Sequence, residues 1–223
     1  NYRNQWPNLP KGYQNYSFSY DYNMPDLRSG IGLLVNVDNA GSANLRSTNA
    51  GLLYAFKVAI TSKFVFSPGL YFGYGRKSVD FNNLVFADQL QFDATGIAPT
   101  QDLAVSQNIA PESHFDFGAG VLLYSKMVWM GISSYHINQP NQSLLGEDSK
   151  LPMRTSVHAG IRIPLYYGMF KRDKISSIAP SFVYKSQGKF DQLDIGLHFL
   201  YEPIMIGLWY RGIPVQQNVK DRI

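Results

Sequence analysis

The chain has 223 residues, 45% of them hydrophobic, and carries a formal charge of +4, yet only 16% of its residues are charged against about 25% in an average soluble domain. That is too little charge to cover a water-facing surface of this size, whereas 15 Tyr, 14 Phe and 3 Trp suit a protein with lipid at its boundaries. The absence of cysteine excludes disulfide frameworks and thiolate metal sites, and the densest basic run, "KRDK" at 171–174, is too small for a nucleic-acid footprint.

The opening "NYRNQWPNL" is already strand-like, which leads us to expect residues upstream of it. Tyr16, Phe18, Tyr20 and Tyr22 then alternate with Ser17, Ser19 and Asp21, and Ile31, Leu33, Val35 and Val37 alternate with Gly32, Leu34 and Asn36. A period of two predicts strands. The pattern continues with Leu52, Tyr54, Phe56, Val58 and Ile60, and then with Phe64, Phe66, Leu70, Phe72 and Tyr74. After a long polar interval, "HFDFGAGVLLYSKMVWMGISSYHI" at 114–137 reads as two strands about a turn at Ser125 and Lys126. Val157 to Leu165, Ile178 to Tyr184, Leu193 to Tyr201 and Ile204 to Tyr210 complete the series.

About eleven strands are predicted, many near the roughly 9 to 11 residues that a tilted strand needs to cross a bilayer. No run approaches the roughly 20 apolar residues of a transmembrane helix. Mean hydropathy is slightly negative at -0.18.

The apolar face of these strands is uninterrupted, while the opposite face carries Gly, Ser, Tyr and sparse charges: Lys57, Asp116, Arg162, Lys185, Asp194, His198 and Arg211 all fall on it. In a soluble sandwich the wet face would carry far more Lys and Glu. The apolar face therefore meets lipid, where a midplane Lys or Arg costs about 2 to 4 kcal/mol, and the other lines an interior. Tight turns near 61, 125 and 202 alternate with long loops at 82–113 and 139–152, although the short turn near 188 and the longer one at 166–175 break the rule. The expected fold is all-β: one transmembrane antiparallel β-barrel domain of the bacterial outer membrane over 1–223.

Three stretches, "NYRNQWPNL", "FDFGAGVLLYSKMVWMGISSYHI" and "IAPSFVYKSQGKFDQLDIGLHFLYEPIMIGLWYRG", give the chain a family resemblance. Through Tyr2-Arg3-Asn4-Gln5-Trp6, Phe117-Gly118-Ala119-Gly120 and the closing "WYRG", it resembles the PorP/SprF outer-membrane proteins of the type IX secretion system of the Bacteroidota. The resemblance implies a barrel of about fourteen strands, roughly three of them outside this segment, since an even count closes a bacterial barrel. It also implies a component or client-anchor of a secretion and gliding machine, and from the residues themselves neither catalysis nor a cofactor is expected. The implied partners are a periplasmic lipoprotein ring or peptidoglycan-binding subunit of the machinery, or a secreted adhesin held at the cell surface. A transport channel for a hydrophobic or small polar solute is the alternative.

Candidate residues follow from this picture. Lys185, Asp194, Arg211, Arg162 and His198 are expected as an interior charge cluster, and a two-residue turn at Glu202 and Pro203 places Asp194 opposite Arg211 with Lys185 on the diagonal. A salt bridge that stiffens the wall is the expected role, because few charges of mixed sign make a weak filter. Leu84, Phe86 and Leu90 in the long loop, and Lys171 and Arg172 on the opposite rim, are the expected partner contacts. His136, near Ser134, Asn138 and Ser143, is the one weak hint of an outer-face hydrolase and falls on the apolar face, where we expect an interfacial residue. His114, His136, His158 and His198 have no metal-ligand spacing, and the loop acids are too sparse for calcium.

Overall fold

The computed structural model describes residues 1–6, 12–41, 44–80, 89, 110–144, 148–165, 176–201 and 203–213. Strand formation follows the two-residue alternation. The first half comprises β1 (Tyr2–Gln5), β2 (Tyr13–Met24), β3 (Ser29–Ala40), β4 (Leu45–Phe56), β5 (Val58–Ala59) and β6 (Val65–Ser78). The second half comprises β7 (Glu112–Tyr124), β8 (Val128–Tyr135), β9 (Arg154–Ile161), β10 (Ile163–Leu165), β11 (Ser176–Gln187), β12 (Phe190–Tyr201) and β13 (Ile204–Ile213). All thirteen belong to one antiparallel sheet with no α-helix among the described residues. Eleven strands follow one another along it, while the short β5 and β10 pair with β6 and β11 beside that path. The sequence pattern predicts about eleven, and the two short strands bring the total to thirteen.

Each strand pairs with its neighbour in sequence, so each turn need only reverse the chain. Gln187 pairs with Phe190 across a two-residue turn in which Gly188 takes a φ of 60°, the left-handed backbone that such a turn demands. Glu112 and Ser113, expected in the long loop, instead extend β7 and pair with Lys77 and Arg76. The pairing row is oblique to the sheet. From Asn23, next to the last residue of β2, it passes through Gly30, Ala55, Gly69, Gly120, Ser133, Ser156 and Lys185 and reaches Gln192, near the start of β12 at the opposite rim. Such a stagger is what tilted barrel strands require. The sheet is not closed; β1 and β13 form its two ends.

Burial is inverted relative to a soluble domain. Ala179 is the sole buried hydrophobic residue among the described residues, whereas Ser29, Asp116, Ser176, Ser177 and Asp194 are buried. Outward side chains such as Leu52, Leu70 and Leu208 remain largely exposed, at 59%, 64% and 74%. Aromatic rings cluster at both margins of this apolar band: Tyr2 lies 5.0 Å from Tyr16 and Tyr74 lies 5.8 Å from Phe115 at one, with Tyr22, Phe56 and Tyr201 exposed toward the other. An apolar outside with aromatic margins is the arrangement that a bilayer selects.

Adjacent residues of β4 test the facing directly. Leu52→Arg places a cation on the outward face and should reduce assembly into membranes through a cost of about 2 to 4 kcal/mol at the midplane. Leu53→Arg, on the inward face, should assemble close to normally. The heat-modifiable electrophoretic shift of the two variants measures the difference, and equal assembly would reject the assigned orientation.

Candidate functional site on the inner wall

Every second residue of each strand projects onto the inner face, and there the sequence places glycines beside aromatic rings. Trp129 of β8 lies over Gly160 of β9, Trp209 of β13 over Gly196 of β12, and Tyr71 of β6 over both Gly51 and Gly73. His114, His158 and His198 cover Gly75, Gly131 and Gly207 in the same manner. A Cβ at Gly196 would stand 2.6 Å from the Trp209 ring, so the absent side chain is what lets the ring lie flat. The rings shield the ladder where glycine leaves it bare and keep their bulk against the wall.

Many polar groups on this face are bonded to one another, while His114 Nδ1, Asp116 Oδ1 and Ser181 Oγ are buried without a hydrogen-bond partner among the described residues. Tyr13 donates its hydroxyl to Asp38; Asn15 Nδ2 lies 2.8 Å from Asn36 Oδ1 and 2.7 Å from Asp38 Oδ1; and Asn36 Nδ2 donates to Asp38 Oδ2 at 2.7 Å. A second group gathers near the start of β7. His136 Nδ1 stands 2.9 Å from Asp116 Oδ2, the Gln142 amide nitrogen is 3.2 Å from His114 Nε2, and Arg154 lies 5.0 Å over the Tyr135 ring. Asn138 adds bonds from its amide to Phe115 O at 2.7 Å and from the Phe117 N–H to its carbonyl at 3.2 Å. Together these contacts fold the start of the 136–153 connection back onto β7.

This geometry corrects the expected place of His136. By alternation it belongs on the apolar face, but its φ of 58° breaks the strand and brings the imidazole to the inward-facing Asp116. Ser134 meanwhile pairs with Thr155 at 3.3 Å, so Ser134, His136 and Asn138 each have a different partner.

The expected interior cluster resolves into three separate contacts. Asp194 lies 3.7 Å from Lys185, accepts from Gln192 Nε2 at 2.7 Å and accepts from the Gly212 N–H at 3.1 Å. His198 accepts from the Trp209 indole at 3.3 Å, which leaves its other ring nitrogen to carry the proton. Arg162 donates through Nε to Ser177 Oγ at 2.9 Å near the other rim. Lys185 is the diagonal neighbour of Asp194, since its direct partner is Gln192.

The expected Asp194 to Arg211 pairing does not form among the described residues. Tyr201 pairs with Ile204 and the register runs evenly to Ile195 and Tyr210, after which a bulge shifts Leu193 to Ile213. The bulge sets Arg211 and Gly212 together opposite Asp194, and Gly212, with a φ of 85°, donates its N–H to the Asp194 carboxylate. Only the glycine at 212 hinted at this bulge. The partner-contact candidates Leu84, Phe86, Leu90, Lys171 and Arg172 lie outside the described residues.

An inner-wall recess of about 410 Å³ lies between these groups, with Asp21, Asn23, Lys57, Tyr71, Ser133 and Tyr135 around a floor that includes Gly30, Gly69 and Gly120. Lys57 Nζ donates to Asn23 Oδ1 at its edge, at 2.6 Å. No group of three or more His, Asp or Glu side chains suited to a metal occurs among the described residues.

The sequence matches the type IX secretion system membrane protein PorP/SprF family over residues 1–221. The chain belongs to this family. A search of curated proteins finds no match. For a PorP/SprF protein the antiparallel sheet, inverted burial and aromatic margins have one setting, the bacterial outer membrane, where it serves as a membrane component of type IX secretion.

The ring-on-glycine contacts make a quantitative prediction for the PorP/SprF wall. Gly160→Val drives a side chain into the Trp129 ring and should destabilise the fold by about 1 to 3 kcal/mol in denaturant unfolding from micelles. Adding Trp129→Ala should recover part of that loss, and strict additivity of the two changes would argue against the contact.

Proposed function

We propose that this PorP/SprF protein is a non-enzymatic anchor of the type IX machinery that holds a partner at the outer membrane. The partner is either a periplasmic secretion subunit or a secreted adhesin on the cell surface, as in gliding. The observation that carries this reading is the side-chain bonding along the inner wall: Asp38 and Asp194 hydrogen-bond to neighbouring wall residues and Asp116 stands 2.9 Å from His136, instead of the three forming a ring of charge. A wall of that kind stiffens a scaffold and makes a poor ionic filter. The divergent partners of Ser134, His136 and Asn138 likewise favour a role without catalysis.

In this reading the barrel is completed by strands that cover the free edges of the sheet, because unpaired backbone groups cannot rest in hydrocarbon. Leu84, Phe86 and Leu90 on one rim, and Lys171 and Arg172 on the other, remain the proposed contacts. The recess beside Asp21, Lys57 and Tyr135 favours a second reading, a channel for a small polar or hydrophobic solute.

Purification from outer membranes in mild detergent, followed by identification of the co-purifying proteins, tests the proposal. A stoichiometric periplasmic subunit or adhesin, with no conductance in planar bilayers, is expected. The barrel alone with stepwise conductance would instead establish the channel.

A further inference from the structure

Charge is almost absent from the outward face of the sheet, so the exceptions carry information. Among the described residues, the only cations at outward strand positions are Arg46 of β4 and Arg76 of β6. The only outward anion is Asp191, on the distant β12. Arg46 pairs with Ser78 and Arg76 with Thr48, so the two arginines are diagonal neighbours on adjacent strands, about 7 to 8 Å apart. Both side chains are exposed, and neither forms an ion pair or hydrogen bond among the described residues. Two guanidinium groups at this spacing repel each other unless an anion bridges them, and their forked donors match phosphate oxygens.

Below them the surface changes character along the same two strands. Ala50 and Tyr74 form the next outward pair, and Leu52 with Phe72 the one after. Leu52 and Phe72 line an outward groove of about 750 Å³ together with Leu33, Leu70, Phe117 and Ala119. Phe72 is four residues, about 13 Å, from Arg76 along the strand. An anionic head above and a long apolar trough beneath describe the contour of an amphiphile standing along the barrel wall.

The rim fixes which amphiphile. Arg46 and Arg76 lie at the end of the sheet that carries the connections 79–111 and 136–153, and the long connections of an outer-membrane barrel face the cell exterior. The lipid of that leaflet is a phosphorylated glycolipid, whereas glycerophospholipid occupies the periplasmic side. We propose that Arg46 and Arg76 bind the phosphate of a lipid A class glycolipid, one acyl chain of which lies in the groove along Leu52 and Phe72. This assignment depends on the outer-membrane setting and not on which protein the barrel anchors.

Native mass spectrometry of the full chain in detergent tests the site with three probes: lipid A, the same lipid after phosphatase treatment, and phosphatidylglycerol. Lipid A should remain bound, and Arg46→Ala with Arg76→Ala should weaken its retention about tenfold, the scale of losing charge-assisted hydrogen bonds. Lys150→Ala, a cation on the same rim outside the site, should leave retention unchanged. A phosphate-independent result, in which the dephosphorylated lipid binds the unaltered protein equally well, would overturn the proposal without reliance on any variant. Equal retention by the double variant would overturn it too, and preference for phosphatidylglycerol would refute the glycolipid assignment.

Discussion

Backbone hydrogen bonding in a medium without water is the constraint on which the rest of this structure depends. Each peptide group that enters hydrocarbon needs a partner, and an antiparallel sheet with neighbour-to-neighbour connections supplies one from β2 through β12. Once the ladder occupies the backbone, the two faces divide their tasks. The outer face solves the contact with lipid through Leu, Ile, Phe and Tyr, and the inner face accommodates everything polar. That is why Asp116 and Asp194 are buried while Leu70 and Leu208 are not.

The inner face meets a second requirement, because a wall one sheet thick has no hydrophobic core to hold it in shape. Its rigidity comes from side chains bound along the wall: rings over glycines, the Tyr13, Asn15, Asn36 and Asp38 network, and the Asp194 contacts across β11, β12 and β13. Glycine serves two separate purposes here. At Gly160 and Gly196 it leaves room for an indole, whereas at Gly188 and Gly212 it permits a left-handed backbone that closes a turn or forms a bulge. The two rims also differ in kind. One carries the folded-back start of the 136–153 connection and the outward arginines, and the other is marked by Arg162 and Ser177. A type IX secretion component placed between two compartments presents different chemistry to each.

Much of this was legible in the sequence because the strand period is simple and lipid tolerates few exceptions. Facing, strand number and the location of Lys185 beside Asp194 all follow from counting by twos from a turn. Counting fails where the backbone leaves the period. His136 and Gly212 both have positive φ: the imidazole turns inward to Asp116, and the Gly212 N–H bonds to the Asp194 carboxylate at a bulge that parity does not foresee. The ring-on-glycine pairs were hidden for a different reason. Glycine in a strand signals crowding, but the identity of the ring depends on cross-strand register.

The sequence by itself determined the all-β class, the inside and outside of each strand and the membrane family. Those properties depend on local alternation and on the energetic cost of charge in lipid, both of which act residue by residue. Tertiary structure decided which side chains meet. The stagger that joins Asn23 to Gln192, the bulge at Gly212 and the meeting of Arg46 with Arg76 arise from pairing between strands, and a shift of one residue in any pair would redistribute every cross-strand contact on both faces.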